Sequence, residues 1–110
     1  MKQLTVKSIF EEKIAGSLKA NPDRVAGINA IYQFNITGDG GANYYVDLTT
    51  DPPTVDTGTA DNPNCTITAD ASDFIDLVTG RLNGQMAFMT GKVKIAGNMG
   101  LALKLQKLIG

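Results

Sequence analysis

Between Ile28 and Leu48 the apolar residues recur at every second position, and that pattern leaves the chain little choice of fold. Ile28, Ala30, Tyr32, Phe34 and Ile36 alternate with Asn29, Ile31, Gln33, Asn35 and Thr37. A strand written this way has one apolar face and one mostly polar face. Gly38-Asp39-Gly40-Gly41 is a hairpin turn, and Asn43 to Thr50 is the return strand. Its Tyr44, Val46 and Leu48 face one way, while Asn43, Tyr45, Asp47 and Thr49 face the other. A hairpin with one apolar face needs a cover over that face.

The sequence supplies the cover on both sides. Upstream, Val6, Ile9, Phe10, Ile14 and Leu18 are spaced by threes and fours, the stripe of an amphipathic helix over residues 5–19. Asn21-Pro22-Asp23 stops it, and Pro22 opens a short turn through Val25. Downstream, Pro52-Pro53 break the chain before a short edge strand at Thr54 to Thr57. Gly58 to Pro63 is loop. Cys65, Ile67 and Ala69 alternate with Thr66 and Thr68 in a fourth strand. Asp70 then caps a helix whose buried face is Phe74, Ile75, Leu77 and Val78, with Gly80 placed to end it. A short turn from Gln85 to Thr90 ends at Gly91. Lys92 to Ala96 is the last strand, with Val93 and Ile95 inward and Lys92 and Lys94 outward, and Gly97-Asn98 opens a final helix. Segregated strands and helices of this kind predict an α+β fold, its mainly antiparallel sheet covered on one face.

At 110 residues the chain forms one domain, residues 1–110. Ten basic and eleven acidic residues leave a net charge of −1, so there is no basic field to hold nucleic acid. No run approaches the length of a membrane span, and Met1 to Lys13 lacks a signal-peptide hydrophobic region. The lone Cys65 has no disulfide partner, which fits a reducing compartment. There is no histidine, which removes Ser–His and Cys–His catalysis and the commonest zinc ligand together. Gly38 to Gly41 lacks the Gly-Lys-Ser/Thr of a phosphate loop. Asp47, Asp51, Asp56 and Asp61 lack calcium-loop spacing. No catalytic residue, metal or cofactor is expected. The Asn-x-Thr sequons at Asn35 and Asn64 are read as chance.

The terminal segment is more informative. On a wheel of about 100° per residue, Met99, Leu101, Ala102, Leu103, Leu105, Leu108 and Ile109 sweep an arc of about 220°, interrupted by Gln106. A helix lying on a core needs a stripe of only about 100°. The surplus fits a helix wedged between elements, a homodimer face, or a helix with one flank on the core and the other on a cavity. Met86, Met89 and Met99 lie in or beside this stretch, and methionine suits sites that repack around variable apolar partners. Lys92, Lys94, Lys104 and Lys107 are the one dense basic set, read as the wet faces of a strand and a helix or as a surface for anionic headgroups.

From Thr66 to Ile109 the chain resembles the lipid-binding domain of the sterol carrier protein type 2 family. The resemblance is carried by Gln85, Ala87-Phe88, Gly91-Lys92, Lys94-Ile95, Gly97 to Ala102 and Lys104-Leu105-Gln106. The strands at Asn29–Ile36, Tyr44–Leu48 and Cys65–Thr68 also fall where that family has strands, so it extends over nearly the whole chain. It implies a five-stranded sheet, helices over one face and an apolar cavity between them. It also implies a lipid ligand: fatty acid, fatty acyl-CoA, sterol or phospholipid. Placed by position, Phe34 and Tyr44 would face the cavity and Gln85 would offer a polar group. Phe74, Leu77, Val78, Met86, Phe88 and Met89 would complete the wall, with Met99, Leu101, Leu103 and Leu105 in the lid. Leu101, Leu105 and Leu108 lie on one flank of the terminal helix and Met99 and Leu103 on the other, and the two sets are expected to separate, one governing stability and the other lipid binding, with the sequence leaving open which flank lines the cavity.

Many eukaryotic members of that family end in a Ser-Lys-Leu type tripeptide, whereas this chain ends Leu108-Ile109-Gly110. The expectation is a stand-alone, cytoplasmic, monomeric carrier that touches membranes transiently and does not bind nucleic acid. The alternative is an interaction or accessory module, docking on a lipid-metabolising enzyme or self-associating through its terminal helix. An empty cavity of about 300 Å³ would cost about 7 kcal/mol at about 24 cal/mol per Å³. That rivals the stability of a small domain, so the free protein is expected to be wet, partly collapsed or lipid-loaded.

Overall fold

A computed structural model of the chain describes residues 5–25, 27–50 and 53–104. The first helix, α1, covers residues 6–20 in three segments: an α-helical turn at Val6–Ser8, a π-helical stretch at Ile9–Ile14 and an α-helical end at Ala15–Ala20. Thr5 opens it with a reciprocal cap. Its hydroxyl accepts from the Ser8 N–H, and the Ser8 hydroxyl accepts from the Thr5 N–H. The π-helical middle follows from the sequence. Val6, Phe10, Ile14 and Leu18 are all buried, each four residues from the next. In a regular α-helix a spacing of four drifts by about 40° per step, and the stripe would wind off its support. A wider π turn corrects that drift. A 3₁₀ turn at Pro22–Val25 follows, as expected from the proline.

Among the described residues five strands form one sheet: β1 (Ile31–Thr37), β2 (Asn43–Asp47), β3 (Thr54–Thr57), β4 (Cys65–Asp70) and β5 (Val93–Gly97). Their order is β3-β2-β1-β4-β5. The β1–β2, β2–β3 and β4–β5 pairs are antiparallel, while the central β1–β4 pair is parallel. Register places Tyr44, Phe34, Ile67 and Ile95 side by side across the sheet, with Val46, Tyr32 and Cys65 in the next row. The alternation read from the sequence is therefore one continuous apolar face. The first hairpin is shorter than expected, although Leu48 N–H still donates to the Ala30 carbonyl (2.9 Å) beyond the assigned strand ends.

One residue on the other face departs from its pattern. Gln33 is buried although it lies on the polar side of β1. Parallel neighbours need a crossover, and the loop that carries the chain from β3 to β4 crosses over Gln33. Its amide nitrogen donates to Gly58 O (3.1 Å), Asn35 Oδ1 (3.1 Å) and Tyr44 O (3.3 Å), and its oxygen accepts from Ala60 N–H (2.7 Å). Asn64 closes the same loop by accepting from Ile31 N–H (2.9 Å). Both sequon asparagines thus serve internal hydrogen bonds.

Three short helices complete the cover. Helix α2 (Ala71–Val78) is capped by Asp70, α3 (Gly84–Met89) by Asn83, and α4 (Met99–Leu103) by Asn98, each through a side-chain oxygen accepting backbone N–H groups. Helix α2 packs on β1, β4 and the first turn of α1, while α3 packs on β5 and α4 on β4 and β5. Gly97 makes the last turn possible. Its φ is +95°, and a Cβ there would sit 2.5 Å from the Asn64 carbonyl oxygen.

Candidate functional site

The apolar face of the sheet is covered unevenly. Under α1 and α2 the cover is dense. Phe10 from the π-helical stretch stacks on Tyr44 (centroids 4.3 Å apart, planes at 9°) and on Phe74 (5.3 Å, 4°). Phe34 meets Phe10 edge-on at 5.0 Å and Phe74 at 6.0 Å. Four elements, α1, β1, β2 and α2, thereby place their rings in one cluster. The Tyr44 phenol reaches the rim and donates to Glu11 Oε2 (3.1 Å). Burial, and then the bond to Glu11, push its ionisation upward.

Towards β5 the cover supplied by the described residues thins. Tyr32 is fully buried on the central strand, and its phenol donates to the Leu101 carbonyl of α4 across 2.6 Å. Burial, and secondarily the neighbouring Cys65, raise its pKa to about 12. Burial also pushes the Cys65 thiol up, away from nucleophilic use. Helix α4 turns Leu101 and Ala102 to the core, while Leu103 is 85% exposed and Met99 46%. Helix α3 buries only Ala87, leaving Met86, Phe88 and Met89 exposed, Met89 at 73%.

The expected site residues thus divide. Phe34, Tyr44, Phe74 and Val78 are buried, and Leu77 is half-buried against the same core. Phe34, Tyr44 and Phe74 are brought together on Phe10, and Val78 lies in the same helix as Phe74. Met86, Phe88, Met89, Met99 and Leu103 form the uncovered outer surface of α3 and α4, and Gln85 is exposed beside them. Leu101 lies between the two sets, half-buried. Leu105, like Leu108, lies outside the described residues.

Phe10, Tyr32 and Glu11 were not among the expected site residues. Phe10 was legible only as one member of a helical stripe. Tyr32 carried a sharper signal, because a phenol on the apolar face of a central strand requires a buried acceptor. An open groove of about 390 Å³ runs along α1, lined by the polar and charged residues Thr5, Lys7, Ser8, Glu11 and Glu12.

Residues 10–110 match the SCP-2 sterol transfer family. The chain is 45% identical over 87 residues to "Sterol carrier protein 2" of Homo sapiens, covering 76% of this chain and 16% of that protein. It is 40% identical over 91 residues to "Hydroxysteroid dehydrogenase-like protein 2" of Xenopus laevis, covering 82% of this chain and 22% of the other. The chain therefore spans only about a fifth of the length of these relatives. Its fold agrees with the solution NMR structure of palmitated SCP2L2 from Aedes aegypti at a TM-score of 0.78. The two are 29% identical, and the match covers 96% of this chain and 95% of that one.

Proposed function

The chain belongs to the SCP-2 sterol transfer family, and on that premise we propose that it binds one lipid in an apolar cavity between sheet and helices and transfers it. The ligand is a fatty acid, fatty acyl-CoA, sterol or phospholipid. The observation that carries the reading is the uneven cover. A continuous apolar sheet face is sealed by rings under α1 and α2, but beside β5 the described residues close it with two short helices that carry apolar residues on both sides. In this reading the lipid enters beneath α4, against Leu77 and Leu101, while Met86, Met89, Met99 and Leu103 form the mouth. Gln85 meets the polar head there. The buried phenols and thiol are held protonated, and the reading is of a cytoplasmic, monomeric carrier and not a catalyst.

Energetics favour a loose site. Each methylene removed from water contributes about 0.8 kcal/mol, so a sixteen-carbon chain gains roughly 12 kcal/mol gross, before ordering costs. Against a donor membrane that gain nearly vanishes, since the chain leaves one hydrocarbon for another. A carrier therefore needs a pocket about as good as a bilayer, which side chains as adaptable as methionine supply. Native mass spectrometry of the purified protein tests the reading. Lipid adducts that disappear on delipidation and return with palmitate, with a matching rise in Tm, are expected. No adduct and no Tm response to palmitate would exclude it.

A second reading rests on the relatives' length. Since the chain covers about a fifth of a protein named as dehydrogenase-like, the domain would present its lipid to an enzyme. Channelled turnover of domain-bound lipid, faster than turnover of the same lipid added free, is its signature.

A further inference from the structure

We propose that the Tyr32 phenol and the Leu101 carbonyl are two halves of a site for a lipid hydroxyl, which inserts between them as α4 yields. The phenol is chemically isolated on the face that it occupies. Among the described residues the buried polar groups of the apolar sheet face are Tyr32, Tyr44 and the Cys65 thiol. Tyr44 reaches the rim, where Glu11 takes its proton donor (3.1 Å). Tyr32 is fully buried on the central strand, with Val46 and Cys65 on either side in its row, and donates to the Leu101 carbonyl (2.6 Å).

That bond can be exchanged at little cost. The Leu101 carbonyl also accepts from Lys104 N–H (3.0 Å), so it keeps a partner when the phenol leaves it. Helix α4 is five residues long and follows Gly97, whose φ of +95° is one that glycine adopts freely. The donor–acceptor pair then selects the ligand group. A hydroxyl accepts from the phenol and donates its own hydrogen to the carbonyl, so every polar atom remains satisfied. Two such bonds in series span about 4.5 Å, which asks α4 to move outward by about 2 Å. A carboxylate cannot donate to the carbonyl, and at that depth its charge meets no cation among the described side chains, since Lys92 and Lys104 are exposed. An anionic head therefore stays at the mouth beside Gln85. With its pKa raised to about 12, the phenol remains a donor throughout the neutral range. The inference rests on the carrier reading and deepens it: the class that enters polar end first is the uncharged lipid alcohol, long-chain or sterol.

Native mass spectrometry of the wild type and of Tyr32→Phe, each offered 1-hexadecanol and palmitate in equal amounts, tests it. The two lipids share one chain length, so a change in their ratio between the proteins reports on the head alone. Tyr32→Phe should lower the hexadecanol-to-palmitate ratio about fivefold, the loss of one hydrogen bond, and should keep its palmitate load. In nuclear Overhauser spectra of the loaded wild type, the C1 protons of hexadecanol should contact the Tyr32 ring and the C2 protons of palmitate should not. An unchanged ratio, a loss shared equally by both lipids, or hexadecanol C1 protons remote from Tyr32 would each overturn the proposal. A wild type that loads palmitate while the ratio stays fixed leaves the carrier reading standing without this site. A wild type that loads neither lipid removes both.

Discussion

The phenol of Tyr32, on the central strand β1, donates a 2.6 Å hydrogen bond to the carbonyl of Leu101, sixty-nine residues later in α4. It ties α4 to a fully buried residue of the central strand. That carbonyl also accepts from Lys104 N–H (3.0 Å), so removing the phenol deletes a bond without orphaning the acceptor. Tyr32→Phe should cost about 1 kcal/mol, a fall in Tm of about 4–8 °C. Hydrogen exchange should show the loss concentrated in residues 98–104, with the amides of β1 and β2 unchanged relative to global unfolding.

The same phenol sets an alkaline limit. Its pKa is about 12 in the folded protein against an ordinary 10.0. The native state therefore keeps a proton that the unfolded state releases, and stability falls as pH rises between those values. Below about pH 9 this group contributes no slope. Urea midpoints followed from pH 8 to pH 12 should decline from about pH 10, and Tyr32→Phe should flatten part of that decline.

Phe10 is the centre of the ring cluster, stacked between Tyr44 and Phe74. Phe10→Ala should cost about 3–5 kcal/mol, enough to bring the domain near unfolding, whereas Phe10→Leu retains most of the volume. Urea denaturation should order them accordingly, and near-ultraviolet circular dichroism of the leucine variant should lose the coupled tyrosine signal.

Gln33→Leu leaves the Ala60 N–H and the Gly58 carbonyl without their partner. The expected cost is about 2–4 kcal/mol. Limited proteolysis should cut first within residues 58–64, since the amide of Gln33 holds that loop to the sheet.

The two sides of α4 should separate. Leu101 packs against the core, whereas Leu103 projects outward. Leu101→Ala should lower stability by about 2 kcal/mol, short of a full core deletion because the residue is half-buried. Leu103→Ala should leave stability within about 0.5 kcal/mol and weaken palmitate uptake. Equal losses of stability at both positions would refute the division.

Much of this architecture was legible because strand periodicity is a strong signal when only one face is buried. Tyr32, Phe34 and Ile36 in β1, like Cys65, Ile67 and Ala69 in β4, needed no further information. The cap at Asp70 and the start of the last helix at Gly97-Asn98 were read from residue type. The parallel β1–β4 pairing was not, because alternation fixes which face a residue occupies and says nothing about which strand lies beside it. Gln33 was placed on the wet face for the same reason, since its burial comes from a loop more than twenty residues away. The π-helical stretch was missed although the strict fourfold spacing of Val6, Phe10, Ile14 and Leu18 carried its signature. At the site, apolar residue types were legible, but not their division into a closed ring cluster and an uncovered rim, which depends on how α1 and α2 pack.

The parallel pairing of β1 with β4 also bears on synthesis. Tyr32 pairs with Cys65, so β1 can bond its hairpin partner early but waits for its other neighbour. At roughly 5–20 residues per second, the thirty-three residues from Tyr32 to its partner Cys65 take about two to seven seconds to appear. Through that interval the nascent chain presents an open strand edge bearing Tyr32, Phe34 and Ile36, the kind of edge that recruits other chains. The helix made before it, α1, is the apolar cover already synthesised by then, and in the folded protein its Phe10 packs on Phe34 of that strand.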